Sequence, residues 1–288
     1  MKPCNFRYHA PRSLDEAVGL LAGNDNAQLL AGGQSLMAML NLRVVMPDDL
    51  IDLNGVPGLD GIEVLDDAIL IGATTRQRRM ERDPALAAAA PIFAEALAHV
   101  GHLQTRNRGT IGGSLCHLDP SAELPALCML YDAELTLHGP EGKRTLPMAE
   151  FPAFYMTPAK EDDEILTAIR LPHLQGRIGH GFVEIARRHG DFAIVAAAAL
   201  LELGADGTIS EARIVLGGVD AVPLRLQAAE EMLRGQRPEA DTLAAAAPLA
   251  AEIEAMEDFA YSADYRRHLA QVLVGRALAR AAERADAA

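Results

Sequence analysis

The spacing of apolar and polar positions divides the chain into short strands and short helices, with a change of texture near residue 178. Residues 27–31 (AQLLA) read as a buried strand running into Gly-Gly. A helical pattern begins at Ser35 (SLMAMLNLR), where Ser35 is a natural N-cap. Short β-like runs follow at 50–53 (LIDL) and 68–73 (AILIGA). Ile92, Phe93, Ala96, Leu97, Val100 and Leu103 recur at helical spacing, so the pattern predicts one helix that empties into QTRNRG. A hairpin is expected from AELTLH (133–138), the turn GPEG and KRTLPM (143–148), and 164–172 (EILTAIRLP) reads as a strand closing the first domain. Beyond residue 178, segments 181–188, 192–203 and 209–219 read as three antiparallel strands. From about Arg225 the chain is Ala-rich and helical, with Tyr261, Tyr265, Leu269, Val272 and Leu273 expected on one face of its last helix. The fold class is therefore α+β. A mixed domain over 1–176 precedes a smaller domain over 177–288, built from a three-stranded antiparallel sheet with helices.

Composition narrows the function classes. Half of the 288 residues are hydrophobic and 23% are charged, which suits a packed core. No apolar run reaches the ~18 residues of a membrane span, and the start (MKPCNFRYHAPRS) lacks the apolar stretch of a secretory signal. Cys4, Cys116 and Cys128 form no CxxC pair; their odd number suits a reducing cytoplasm, and they are too few for a four-thiolate iron–sulfur cluster. A net charge of −14 argues against nucleic acid. Either solubility or a complementary basic partner surface accounts for it.

The chemistry-bearing feature is a pair of glycine-rich turns, AGGQSL (31–36) and TIGGSL (110–115). A dinucleotide pyrophosphate can be held by converging backbone N–H groups at turns and helix N-termini. Close backbone approach of that kind calls for glycine, which has no Cβ and tolerates positive φ. Ser35 and Ser114 would each add a hydroxyl. Neither turn contains the Gly-Lys-Ser/Thr of a Walker A loop or the GxGxxG of a Rossmann domain. Taken singly, either reads as an ordinary tight turn; taken together, they suit one pyrophosphate gripped from two sides.

The flanks of these turns carry a resemblance. KPCNFRYHAPRSLDEAVGLL, AGGQSL, QTRNRGTIGGSLCHLDPSAELPAL, RRHGDFAIVAAAA, VLGGVDAVPLR and SADYRRHLAQVLVGRAL resemble the FAD-binding medium subunit of the molybdenum hydroxylases, the family that includes carbon monoxide dehydrogenase, quinoline oxidoreductase and bacterial xanthine dehydrogenases. The match runs over essentially the whole chain. It implies a two-part FAD-binding domain of the vanillyl-alcohol oxidase (PCMH) type and a C-terminal domain of the carbon monoxide dehydrogenase flavoprotein type. It also implies a cytoplasmic heterotrimer, expected as a dimer of heterotrimers. The molybdopterin would sit in the large subunit and two [2Fe–2S] clusters in the small one, with FAD passing electrons to an external acceptor.

Carried over by position, Leu29, Leu30, Ala31, Gly32, Gly33, Gln34, Ser35 and Leu36 would hold the pyrophosphate and ribityl chain together with Thr110, Ile111, Gly112, Gly113 and Ser114. Glu123 would sit by the adenosine ribose, Val100 in the apolar lining, Leu166 at the ring edge, and Asp191 with Phe192 near the isoalloxazine, Phe192 covering one face. Cys116 departs from a frequent Ala, and Cys4 from an apolar or aromatic residue. No histidine is placed for a covalent link, so FAD is expected to be bound non-covalently. No residue is given a catalytic role.

Other candidates have structural readings. His99, His102, His117 and Asp119 suggest a metal site only weakly, since nothing in the sequence fixes a third ligand. Asp119-Pro120 reads as an N-cap followed by Pro, Arg106 and Arg108 as loop pins, Asp191 as a turn residue, and Met37, Met39 and Met46 as core filling. The rival functions are a self-sufficient flavin oxidoreductase, which would need an acid/base group beside the flavin, and a non-catalytic nucleotide-binding protein.

Overall fold

The computed structural model describes residues 1–287. Its first layer is a small parallel sheet in the order β1-β3-β2. It is made from β1 (Arg7–His9), α1 (Leu14–Ala22), β2 (Ala27–Leu30), α2 (Leu36–Leu42) and β3 (Asp49–Asp52). The Ser13 hydroxyl caps α1 by accepting from the Glu16 N–H at 3.1 Å.

A second, antiparallel sheet follows in the order β4-β5-β10-β6-β7. Its strands are β4 (Ile62–Val64), β5 (Ala68–Gly72), β6 (Glu134–Gly139), β7 (Gly142–Pro147) and β10 (Ile165–Pro172). A two-stranded hairpin, β8 (Pro152–Phe154) with β9 (Thr157–Pro158), precedes β10. Between β5 and β6 lie six short helices: α3 (Gln77–Arg82), α4 (Pro84–Ala89), α5 (Ile92–Leu97), α6 (Leu103–Arg108), α7 (Ile111–His117) and α8 (Glu123–Leu130). Every residue of α8 is buried, as expected for a helix apolar on all sides.

The third sheet is antiparallel, β11 (Arg177–Ala186), β12 (Ala193–Leu203), β13 (Ile209–Gly217) and a two-residue β14 (Leu224–Arg225). The three long strands expected from sequence are thus joined by a short fourth, followed by α9 (Gln227–Leu233), α10 (Ala240–Ala246) and α11 (Ala263–Ala287). β12 is a continuous apolar run because both its faces are covered. Ala196, Ala198 and Leu200 belong to the core that contains α5 and α8, whereas Val195, Ala197, Ala199 and Leu201 belong to the core under α11. Gly179 and Gly181 let α11 lie directly on β11: a Cβ at Gly179 would sit 1.7 Å from the Ala281 carbonyl oxygen. Across the junction Glu95 of α5 pairs with Arg284 at 2.8 Å and Arg280 at 3.3 Å, and the two arginines also donate to the His180 and Phe182 carbonyls.

Several local expectations are corrected. The stripe at 92–103 is two helices, α5 and α6, broken at Gly101, which has φ +48°, and Leu103 is 45% exposed. Arg106 fastens the break by donating to the Val100 carbonyl at 3.0 Å while pairing with Glu81 at 3.1 Å. The N-terminus of α8 is capped at Ala122, so Asp119 caps no helix and instead accepts from the Ser121 N–H in a tight turn. On α11 the buried face runs through Arg266, Leu269, Ala270, Leu273 and Val274, leaving Tyr265 exposed and stacked on Tyr261. Small alanines form this face because β11 offers glycines to meet them. Met37 and Met46 are exposed with Leu42 and Val44, not core filling; Leu40 is the only fully buried residue of α2.

Candidate functional site: a dinucleotide-sized cleft

The three layers enclose a cleft of about 1420 Å³. Pockets for drug-sized ligands are typically about 300–1,000 Å³, so this one has room for an extended ligand. Its walls come from the turn after β2, the end of β5, the loops around α6 and α7, the start of α8, β10, and the 190–192 turn between β11 and β12.

The two glycine segments lie against each other. A Cβ at Gly32 would come 2.5 Å from the Arg108 carbonyl oxygen and 2.8 Å from the Gly109 Cα, so glycine at 32 is what lets the segments meet. Gly33, at φ +72°, turns the chain back into α2. Their chemistry differs, however. In the first segment the N–H groups of Gly33, Gln34, Ser35 and Leu36 have no acceptor among the described residues. In the second, Ile111 donates to the Thr75 carbonyl, Gly112 to the Ala73 carbonyl, Gly113 to the Thr110 hydroxyl and Ser114 to the Thr110 carbonyl. The expected pair of matching turns is therefore one open turn and one helix start. TIGGSL opens α7, with Thr110 as its N-cap, and Gly112 is there because a Cβ would strike Ala73 at 2.7 Å. Ser35, by contrast, precedes α2 in helical backbone geometry and makes no capping bond.

Sixteen of the residues singled out from sequence line the cleft: Leu29, Ala31–Leu36, Val100, Thr110, Gly112–Ser114, Glu123, Leu166, Asp191 and Phe192. Two do not. Leu30 opens on a smaller depression of about 430 Å³ behind the turn, and Ile111 is fully buried in the core. Phe192 is 64% exposed at the cleft wall, with no core role. Thr74, Gln77 and Cys116 also line the cleft. No sequence pattern had marked Thr74 or Gln77.

Glu123 is the electrostatic anomaly. It is 7% exposed, and burial, with the neighbouring carboxylates Glu184 and Asp119, pushes its carboxyl up to about 8. Glu184 pairs through one oxygen with His99 Nδ1 at 3.2 Å and leaves its other oxygen buried and unpartnered. That pairing raises the His99 imidazole above its ordinary range. Burial pushes the Cys116 thiol up to about 11, so it is a poor nucleophile. His99 and Asp119 are thus occupied structurally, and the described residues contain no group of three ligands able to hold a metal ion. Among the cleft-lining residues Gln77 Oε1 is buried without a partner, and Asp191 Oδ2, which makes no hydrogen bond, lies 3.6 Å from Arg187 Nε in an ion pair.

The family described as FAD binding domain in molybdopterin dehydrogenase matches residues 4–174, and that described as CO dehydrogenase flavoprotein C-terminal domain matches residues 180–281. The chain belongs to this family of FAD-binding subunits. The 6-hydroxypseudooxynicotine dehydrogenase complex subunit alpha of Paenarthrobacter nicotinovorans is 39% identical over 99% of this chain and 97% of its own. Carbon monoxide dehydrogenase from Hydrogenophaga pseudoflava superposes with a TM-score of 0.95 at 38% identity, covering 99% of both chains. Quinoline 2-oxidoreductase from Pseudomonas putida 86 superposes at 0.94 with 37% identity, again over 99% of both chains. The chain is an oxidoreductase subunit whose cofactor is FAD. The open donors of the first turn and the size of the cleft both suit that cofactor.

Proposed function

We propose that the cleft binds FAD non-covalently, with the pyrophosphate on the Gly33–Leu36 turn, in the medium subunit of a heterotrimeric molybdenum hydroxylase. The observation that carries the assignment is the run of four unpaired N–H donors on that turn. A pyrophosphate needs several donors, and a folded protein rarely leaves four uncommitted. The α7 start supports the same group differently, through the positive end of the helix and the Ser114 hydroxyl, its own N–H groups being occupied. Leu29, Leu30, Ala31, Gly32, Thr110, Ile111 and Gly112 shape the cradle; Leu30 and Ile111 do so from behind.

Glu123 would meet a sugar hydroxyl as a neutral acid, able to donate as well as accept. Val100 and Leu166 would keep water from the isoalloxazine, Asp191 would pair with a polar edge, and Phe192 would lie over one ring face. Bound FAD supplies two-electron redox chemistry that can also release electrons singly. The chain's own task is relay: a small subunit carrying [2Fe–2S] clusters delivers electrons taken from substrate at a molybdopterin-bearing large subunit, and an external acceptor receives them. In this division residues 1–176 hold the cofactor and residues 177–288 complete its cover. No described helix is long and apolar enough to cross a membrane, which accords with a cytoplasmic complex.

Native co-purification with metal analysis tests the assembly. Molybdenum, iron and two partner chains should travel with this subunit; a lone protein that turns over substrate without them would refute it. Flavin absorbance near ~370 and ~450 nm in the purified chain, lost in Gly33→Val, tests the site.

A further inference from the structure

We infer that Gln77 is a further FAD-binding residue, donating its side-chain amide to the phosphate–ribityl section of the cofactor; the inference rests on the assignment of the cleft to FAD. Gln77 is the first residue of α3, only 5% exposed, and lines the cleft beside Thr74, Thr105, Gly109 and Thr110. That places it against the second glycine segment and not at the flavin end marked by Phe192.

Its position is fixed by main-chain pairing. The Gln77 N–H donates to the Gly109 carbonyl at 2.9 Å, Arg76 bridges to Thr110, Ile111 donates to the Thr75 carbonyl and Gly112 to the Ala73 carbonyl. Residues 73–77 are thereby zipped to 109–112, and the side chain folds under Gly109. A Cβ at 109 would come 2.4 Å from Gln77 Oε1 and 2.9 Å from its Cδ, so the amide packs directly against the Gly109 backbone.

Yet the amide makes no hydrogen bond with any described residue, and Oε1 is buried without a partner. Buried side-chain amides in folded proteins are almost always paired. The Nε2 end has no protein acceptor and is not among the enclosed unpartnered atoms, so it borders open space. The open space that Gln77 lines is the cleft. An NH2 group facing the site of an anionic, hydroxyl-bearing chain is a donor waiting for a phosphate or ribityl oxygen. Gln77 thus supplies on the second wall a donor that the occupied N–H groups of α7 cannot.

The test is FAD titration of the apo full-length chain by quenching of flavin fluorescence, for the wild type, Gln77→Met and Gln77→Glu. Methionine keeps the length and removes the donor; glutamate keeps the shape and puts a negative charge where a donor is needed. Loss of a hydrogen bond to a charged group should weaken binding by about 10- to 150-fold in Gln77→Met, with Gln77→Glu weaker still. The thermal midpoint of apo Gln77→Met should match or exceed that of the wild type, because the amide is unpaired without cofactor. Wild-type FAD affinity in both variants, or a lowered apo midpoint with affinity intact, would overturn the role of Gln77. Wild-type apo protein that fails to bind FAD at all would instead overturn the assignment of the cleft.

Discussion

Glu123 makes the sharpest stability prediction. It is buried at the start of α8, and burial together with Glu184 and Asp119 raises its carboxyl from the ordinary 4.5 to about 8. In the unfolded chain the group ionises near 4.5; in the folded chain it holds its proton to about 8. Between those values the unfolded state binds fewer protons than the native state, so stability falls as pH rises through the window and levels off above about 8. The full gap corresponds to roughly 5 kcal/mol, as an upper bound, since relaxation and water entry reduce it. Glu123→Gln keeps the shape and cannot ionise. Denaturant unfolding of apo wild type and variant at several pH values from 5 to 9 isolates the effect, because other groups titrate alike in both. The variant should gain on the wild type steadily with pH, by about 2–5 kcal/mol across the window. A difference that stays flat with pH would refute the reasoning. Glu123→Ala should weaken FAD by only about 0.5–1.5 kcal/mol near pH 7, the worth of a neutral hydrogen bond; a loss several-fold larger in free energy would mean that the group binds as a carboxylate.

Gly33→Val should abolish FAD retention, since φ +72° is closed to a β-branched residue and the four donors would be dispersed; flavin absorbance of the purified protein reads it. Gly113→Val should do the same by another route, because its Cβ would come 2.8 Å from the Thr110 hydroxyl that caps α7. Arg106→Met should loosen the Val100–Gly101 loop by removing its donor to Val100, at a cost of about 1–3 kcal/mol in unfolding free energy, limited because Glu81 keeps its 2.7 Å pair with Arg78. Cys116, half-buried on the cleft wall with its thiol raised to about 11, should alkylate slowly near neutral pH because little thiolate is present; rapid labelling of the native protein at that position would count against this geometry.

Much of the architecture is legible from the pattern of residues, because β6 alternates cleanly, β10 alternates over its second half, and a Gly-Pro-Glu-Gly turn marks the β6–β7 hairpin. The long helices and strands of the second half are equally plain. What escapes is set by tertiary contact. The break at Gly101 depends on Arg106 reaching back to carbonyls, which spacing alone does not reveal. The face of α11 shifts because alanines count as core when glycines lie opposite. Both glycine segments are visible as segments, yet only the chain's own hydrogen bonding shows that one has its donors free and the other has them spent. Gln77 is invisible for the same reason. It sits in an ordinary helix start, and its meaning comes from lying beneath Gly109, 32 positions away.

β12 carries a consequence beyond its place in the third sheet. Its alternate side chains belong to different cores, one shared with α5 and α8 and the other with α11. It is a party wall, and neither neighbour stands without it. The cofactor-bearing half and the C-terminal half should therefore melt in a single cooperative transition, and a cut after residue 176 should leave two adhesive fragments. Nor can the cleft open by swinging the halves apart. Flavin release should therefore leave the frame shared by both halves intact.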